Sequence, residues 1–302
     1  MKIIYMHIPS LIMFGVTAIL MVLLYIIAKC AQLQRKRAPL TQDFLRSPGH
    51  TSLKRLDALN HEINIYLVYL FSLPICIYAA YISLLYFSKT EIDTQGIITL
   101  AIISTVIIAY FLFRLLRFFR ERRIVRLGYE GEVAVAQELN QLMMEGYYVY
   151  HDLPADKFNI NHIVIGHTGV FAIETNARSK PTSRSRVENA TVSYDGRVLY
   201  FPKGNDWKTL DQAKQQADWL SEWIHRAVGE PIAVRAIVAL PGWYVKRTSA
   251  DGISVINPKQ FSSLFKYIKP RHLPQEMIRR IVCQIEQKCR NVEPRLKDFD
   301  GD

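Results

Sequence analysis

Three long apolar stretches limit what this chain can fold into. Pro9–Ala28 reads PSLIMFGVTAILMVLLYIIA, about 20 residues with no charge, the length a helix needs to cross a bilayer. The run is too long for a cleaved signal peptide, and no small-x-small site follows it. Lys29 before Cys30 argues against a lipid-modified cysteine. Ile65–Phe87 forms a second candidate span, with Pro74 as a kink that neighbouring helices tolerate. Ile97–Phe113 forms a third, 17 residues without a charge. The expectation is a three-helix transmembrane region over residues 1–126.

Charge orients these spans. Residues 29–62 hold seven Lys/Arg, the 89–96 loop holds only Lys89, and RLLRFFRERRIVR, 114–126, holds six Arg. Positive loops stay cytoplasmic, so the N-terminus and the 89–96 loop are expected outside and the C-terminal domain in the cytoplasm. An integral protein of a bacterial inner membrane fits this pattern, with the lipid bilayer as its first partner. The Arg run reads as a topology determinant that meets anionic head groups and as a stalk continuing the third helix. The net charge of +11 divides unevenly, +9 in residues 1–126 and +2 in residues 127–302. The basic pI therefore does not argue for nucleic-acid binding by the soluble part. Cys30, Cys76, Cys283 and Cys289 show no zinc-binding spacing and read as free thiols.

From Leu127 the composition becomes that of a globular domain. Helical spacing of Val133, Ala136, Leu139, Leu142 and Met143 predicts a helix over 128–146. Strands are expected at 147–153, 159–165 and 170–176. A hairpin follows at 190–201, turning at Asp195-Gly196. An amphipathic helix is expected over 206–228, then a buried strand at 231–242, a short strand at 252–256 and a helix from about 274 to 290. This order predicts an α/β domain on a mixed sheet, residues 127–256, with a helical extension and polar tail at 257–302.

The stretch NINHIVIGHTGVFAIETN, 159–176, carries the chemistry. With His167-Thr168 as a two-residue turn, Gly166 pairs with Gly169, and Asn161 falls opposite Glu174. Opposed residues bring their Cβ atoms to about 4.5–5.5 Å. Alternation then gathers Asn161, Glu174 and Asn176 on one face and puts His162 on the other, as a core or supporting histidine. Such a patch suits Mg²⁺, which takes carboxylate oxygens and waters and offers a water to a phosphate.

Together GYEGEVAVAQEL, the 159–176 stretch and DQAKQQADWL resemble the nuclease-related domain, NERD, over about residues 126–242. That family is placed in the PD-(D/E)xK restriction-endonuclease-like superfamily. The resemblance implies a mixed-sheet, restriction-endonuclease-like fold and a metal-dependent phosphodiesterase using Mg²⁺ or Mn²⁺. It assigns Glu132 and Glu174 as metal-binding acids and Gln212 or Gln216 as the glutamine of the later helix. Asn161 stands where the family has Asp, and Asn176 where it has Lys. An Asn carbonyl carries no charge, and Asn176 supplies no cation beside a phosphate. Arg178 and Lys180 are nearby replacements for the lysine, and Asp152 and Asp156 for the acid. Arg178, Lys180, Arg184 and Arg186 are candidate phosphate-gripping residues, alternatively a plain basic loop. Trp207, Trp219 and Trp223 read as core.

Two classes of function remain open. One is a membrane-anchored NERD protein that acts on or binds DNA or RNA at the cytoplasmic face, as a nuclease or as a pseudoenzyme. The other is a membrane scaffold that uses the fold to dock protein partners.

Overall fold

The computed structural model describes residues 42–88, 94–181, 190–268 and 273–294, with a few positions between Ile19 and Lys29. Most of the expected first span, 9–28, lies outside the described residues. The chain divides into two compact units, Met1–Phe44 with Asn291–Asp302, and Leu45–Arg290. The first falls largely outside the described residues; the second holds everything below.

Two long helices open this unit, α1 (His50–Ser88) and α2 (Thr94–Met143). Both are long and apolar enough to cross a membrane, by length and composition alone. They run antiparallel. Arg55 pairs with Glu121, Arg122 Nε donates to Asn60 Oδ1 at 2.6 Å, and the Tyr66 ring meets Phe111 and Phe118 at 5.6 and 5.2 Å. α2 is continuous through residue 127, so the expected stalk and the expected 128–146 helix are one element. α1 likewise passes through Pro74 without ending.

A five-stranded mixed sheet follows, built from β1 (Tyr148–Pro154), β2 (Asn159–Gly166), β3 (Gly169–Thr175), β7 (Val234–Ala239) and β9 (Ser254–Ile256). Its order is β9-β7-β3-β2-β1. β1, β2 and β3 are antiparallel neighbours; β3, β7 and β9 are parallel. Gly166 pairs with Gly169 around the two-residue turn.

Strand alternation splits the core across the sheet. On one side Ile163, Ile165, Val170 and Ala172 pack against α3 (Lys208–Val228) and α5 (Gln275–Cys289). On the other, Val164, Phe171 and Ile173 meet Val135, Leu139 and Leu142 of α2 and Phe261 and Phe265 of α4 (Phe261–Tyr267). α3 shows the sequence logic plainly: Leu210, Ala213, Ala217, Leu220 and Ile224 recur every three or four residues and are buried. Gly229 closes it in the left-handed conformation at φ 82°.

A second sheet joins β4 (Thr191–Tyr194), β5 (Leu199–Phe201), β6 (Gly204–Asp206) and β8 (Tyr244–Arg247) in the order β6-β5-β4-β8. The β4–β5 hairpin turns where Asp195 Oδ1 accepts the backbone N–H groups of Arg197 and Val198. Val192, Tyr194, Leu199 and Phe201 bury its inner face against Leu210, Leu240 and Trp243. Trp207 departs from the expected core role: it is 52% exposed at the start of α3. Trp219 and Trp223 are partly buried and stack on each other.

Candidate functional site

The ladders on either side of β2 place Asn161 between Asp152 on β1 and Glu174 on β3. The pairs His151–His162 and Leu153–Ile160 bracket the first step, and His162–Ile173 adjoins the second. Beyond His162–Ile173 the Asn161 side chain takes over from the backbone, its Oδ1 accepting the Thr175 N–H at 3.0 Å.

Glu174 is 8% exposed and held by two amides one helical turn apart on α3. Gln212 Nε2 donates to its Oε1 at 2.9 Å and Gln216 Nε2 to its Oε2 at 2.7 Å. Residues four apart share a helix face, so one turn of α3 grips both oxygens. Burial pushes the Glu174 carboxyl up to about 7, against the pull of the Gln216 bond, and the Glu132 charge adds to the rise. The Gln216 amide oxygen is buried without a donor. A cavity of about 460 Å³, lined by Phe158, Lys208, Asp211, Gln212, Gln215 and Gln216, opens onto this pair.

Glu132 reaches the same end of the sheet from α2. The preceding Gly131 makes that approach possible, because a Cβ there would overlap the Ala177 Cβ. Glu132 is 7% exposed, and Ser52 Oγ donates to its Oε1 at 2.8 Å. The Asn161 side chain also hydrogen-bonds it. Burial raises the Glu132 pKa and Asp152 adds to the rise, while the Ser52 and Asn161 bonds oppose it.

Asn176 sits one alternation beyond Glu174 and also faces α3. Its Nδ2 donates to Asp206 Oδ2 at 3.0 Å and to Thr209 Oγ1 at 2.6 Å. Asp206 further accepts from the Thr209 backbone N–H and from Arg178 Nη2 at 2.6 Å. Burial works against its charged form, but the Thr209 bonds, Arg178 and Asn176 outweigh it and hold the carboxyl below its usual range. Arg178 lies over the Phe201 ring at 4.4 Å, and Lys180 near Trp243 at 6.0 Å. Arg184 and Arg186 lie outside the described residues.

His162 is fully buried on the opposite face. Its Nδ1 meets His151 Nδ1 at 2.9 Å and its Nε2 meets Thr175 Oγ1 at 3.2 Å. Burial lowers both imidazoles, His151 to about 4 and His162 well below its ordinary value, where the neighbouring His151 adds to the effect.

Sequence reasoning missed the segment that closes the site. Arg46 Nη1, the Thr51 N–H and Thr51 Oγ1 all donate to Asp152 Oδ2, at 3.0, 3.1 and 2.7 Å. Asp152 itself is 2% exposed with φ 52°, a left-handed conformation that Asp tolerates better than most residues. Asp152 is therefore engaged with the start of α1. Asp156 Oδ2 accepts a 3.4 Å bond from Trp219 Nε1. No local motif marks Arg46, Thr51 or Ser52; they fall in the basic stretch 29–62, which in the sequence serves only to orient the spans.

A mixed sheet flanked by helices, with buried acids at one end and a glutamine-bearing helix beside them, defines the class as a mixed α/β domain. Residues 127–241 match the family model of the nuclease-related domain, NERD, and this segment is the nuclease-related domain of the chain. No curated protein and no solved structure was found to match the chain.

The family's chemistry usually needs a divalent metal, and the donor set fits one poorly. Among the described residues no three His, Cys, Asp or Glu side chains gather where they could hold an ion. Asn161 spends its carbonyl on Thr175, and both Glu174 oxygens already accept amide hydrogens.

Proposed function

We propose that this chain is a membrane-anchored nuclease-related protein that binds nucleic acid at the cytoplasmic face and has lost the cutting chemistry. The observation that carries the reading is the fate of the two altered positions. Asn161 donates to Glu132 and accepts from Thr175, and Asn176 is locked onto Asp206 and Thr209. An Asp at 161 would set a third carboxylate between Asp152 and Glu174. Asn replaces that repulsion with a hydrogen bond and leaves the fold satisfied without an ion.

Binding is supported by what surrounds the altered site. Arg178, Lys203, Phe201 and Trp243 line a cavity of about 300 Å³ beside Ala177, just past the end of β3. Its two cations, Arg178 and Lys203, suit a phosphate backbone, while Phe201 and Trp243 are buried and form its wall. Membrane anchoring rests on the two long apolar helices and the loop charges.

The test is binding of labelled DNA and RNA to the detergent-solubilised full chain at several salt concentrations. The reading predicts affinity that falls steeply with salt, as counterion release requires. Absence of salt-dependent binding would favour the protein-docking scaffold instead.

A further inference from the structure

The outer face of the second sheet has no role in the site described above. Its inner face alternates with it residue by residue: Val192, Tyr194, Leu199 and Phe201 point inward and are buried. Thr191, Ser193, Tyr200, Asn205, Tyr244 and Lys246 therefore share the outer side. The register aligns four of them in one row across all four strands. Asn205 pairs with Tyr200, Tyr200 with Ser193, and Ser193 with Lys246. Tyr244 stands two residues before Lys246 on β8 and pairs with Thr191.

This face is open. Tyr200 is 42% exposed and Tyr244 65%, and Lys246 and Asn205 are exposed as well. The Tyr200 hydroxyl donates to Asp195 Oδ2 at 2.9 Å, which fixes the ring in place. Arg197 and Lys203 are exposed in the two turns that flank Tyr200. Strands lie about 4.8 Å apart and residues rise about 3.4 Å. The two tyrosines are thus roughly 12 Å apart on the diagonal, with Lys246 beside one and Ser193 between the strands that carry them.

We propose that this face is a platform for single-stranded nucleic acid, on which Tyr200 and Tyr244 stack bases while Lys246 and Arg197 meet the backbone. It rests on the nucleic-acid reading above and adds a strand class and a surface to it. Aromatic rings on an open sheet face take unpaired bases of any sequence, because every base offers a π-face. A paired duplex hides those faces, so the platform discriminates against it. Asn205 and Ser193 add hydrogen-bonding groups along the row.

The experiment measures fluorescence anisotropy of labelled single-stranded DNA and RNA, and of a matched duplex, with the detergent-solubilised full chain. Variants are Tyr200→Ala, Tyr244→Ala, the two Tyr→Phe counterparts and Lys246→Ala. Each Tyr→Ala change is expected to weaken single-strand binding about tenfold, while Tyr→Phe retains it and duplex binding shifts less than about twofold. Lys246→Ala is expected to lower the salt slope by about 0.7. All changes are at exposed positions, and a thermal melt matching the wild type excludes misfolding. Single-strand affinity unchanged in both Tyr→Ala variants, or equal losses for duplex and single strand, overturns the platform and leaves the nucleic-acid reading intact. No binding of any nucleic acid by the wild type overturns both.

Discussion

Ser52 Oγ donates to Glu132 Oε1 at 2.8 Å, and the two residues belong to α1 and α2, the helices that also carry the apolar windows. Glu132 is thus held from the first turn of a neighbouring long helix. Ser52→Ala leaves a buried carboxylate short of a donor. A hydrogen bond to a charged group contributes about 1.5–3 kcal/mol, so the variant is expected to unfold correspondingly earlier in a thermal melt of the solubilised chain. Ser52→Thr, which keeps the hydroxyl, is expected to recover most of the loss.

Gly131→Ala tests the packing half of the Gly131-Glu132 pair. Its new methyl collides with Ala177 Cβ, directly after Asn176, with Pro241 also close. α2 must then move away from the end of β3. Overpacking of this kind costs about 1–3 kcal/mol, and chemical denaturation of the variant against wild type measures it. Unchanged stability would mean that the helix does not approach the sheet so closely.

Glu174 makes stability depend on pH. Its carboxyl rises to about 7 in the fold from about 4.3 in an unfolded chain. Between those values the folded state binds more protons, so this group's contribution falls as pH rises through the window and is lost above pH 7. Glu132, also raised, acts in the same direction. Glu174→Gln removes the group's titration, so the difference between wild type and variant is expected to fall by a few kcal/mol from pH 4.5 to 7. A difference that stays flat would place the carboxyl in water.

The His151–His162 pair works the other way. Burial lowers both imidazoles, His151 to about 4. The unfolded chain then binds more protons between about pH 4 and 6.5. Stability from this pair is complete above pH 6.5 and is lost as pH falls toward 4. Imidazole NMR signals of the folded chain are expected to stay in the neutral form down to about pH 5.

Much of the central site could be read from residues 159–176 alone. The register follows from the Gly166–Gly169 turn and strict alternation, so the positions of Asn161, Glu174 and His162 follow from pattern alone. Gln212 and Gln216 share a face because four residues make about one turn. What pattern could not supply was the partner set. Arg46, Thr51 and Ser52 reach Asp152 and Glu132 across 80 or more residues, and nothing local encodes such a contact. The second sheet was half legible. The β4–β5 hairpin has its turn signal, whereas the parallel pairing of Thr191–Tyr194 with Tyr244–Arg247 depends on chain passing through the whole α3–β7 unit. Asn176 faced the expected direction, but its capture by Asp206 needed the start of α3 in place.

The central claim is a nuclease-related domain that has kept its fold and lost its cutting chemistry. The most direct measurement incubates the solubilised full chain with labelled single- and double-stranded DNA and RNA, with Mg²⁺ or Mn²⁺, beside a Glu174→Ala control. The account predicts intact substrate in both samples over times at which the nucleic acid is demonstrably bound. Metal-dependent cleavage by wild type that disappears in Glu174→Ala would contradict it, and would mean that Asn161 and Asn176 are compensated within a working site.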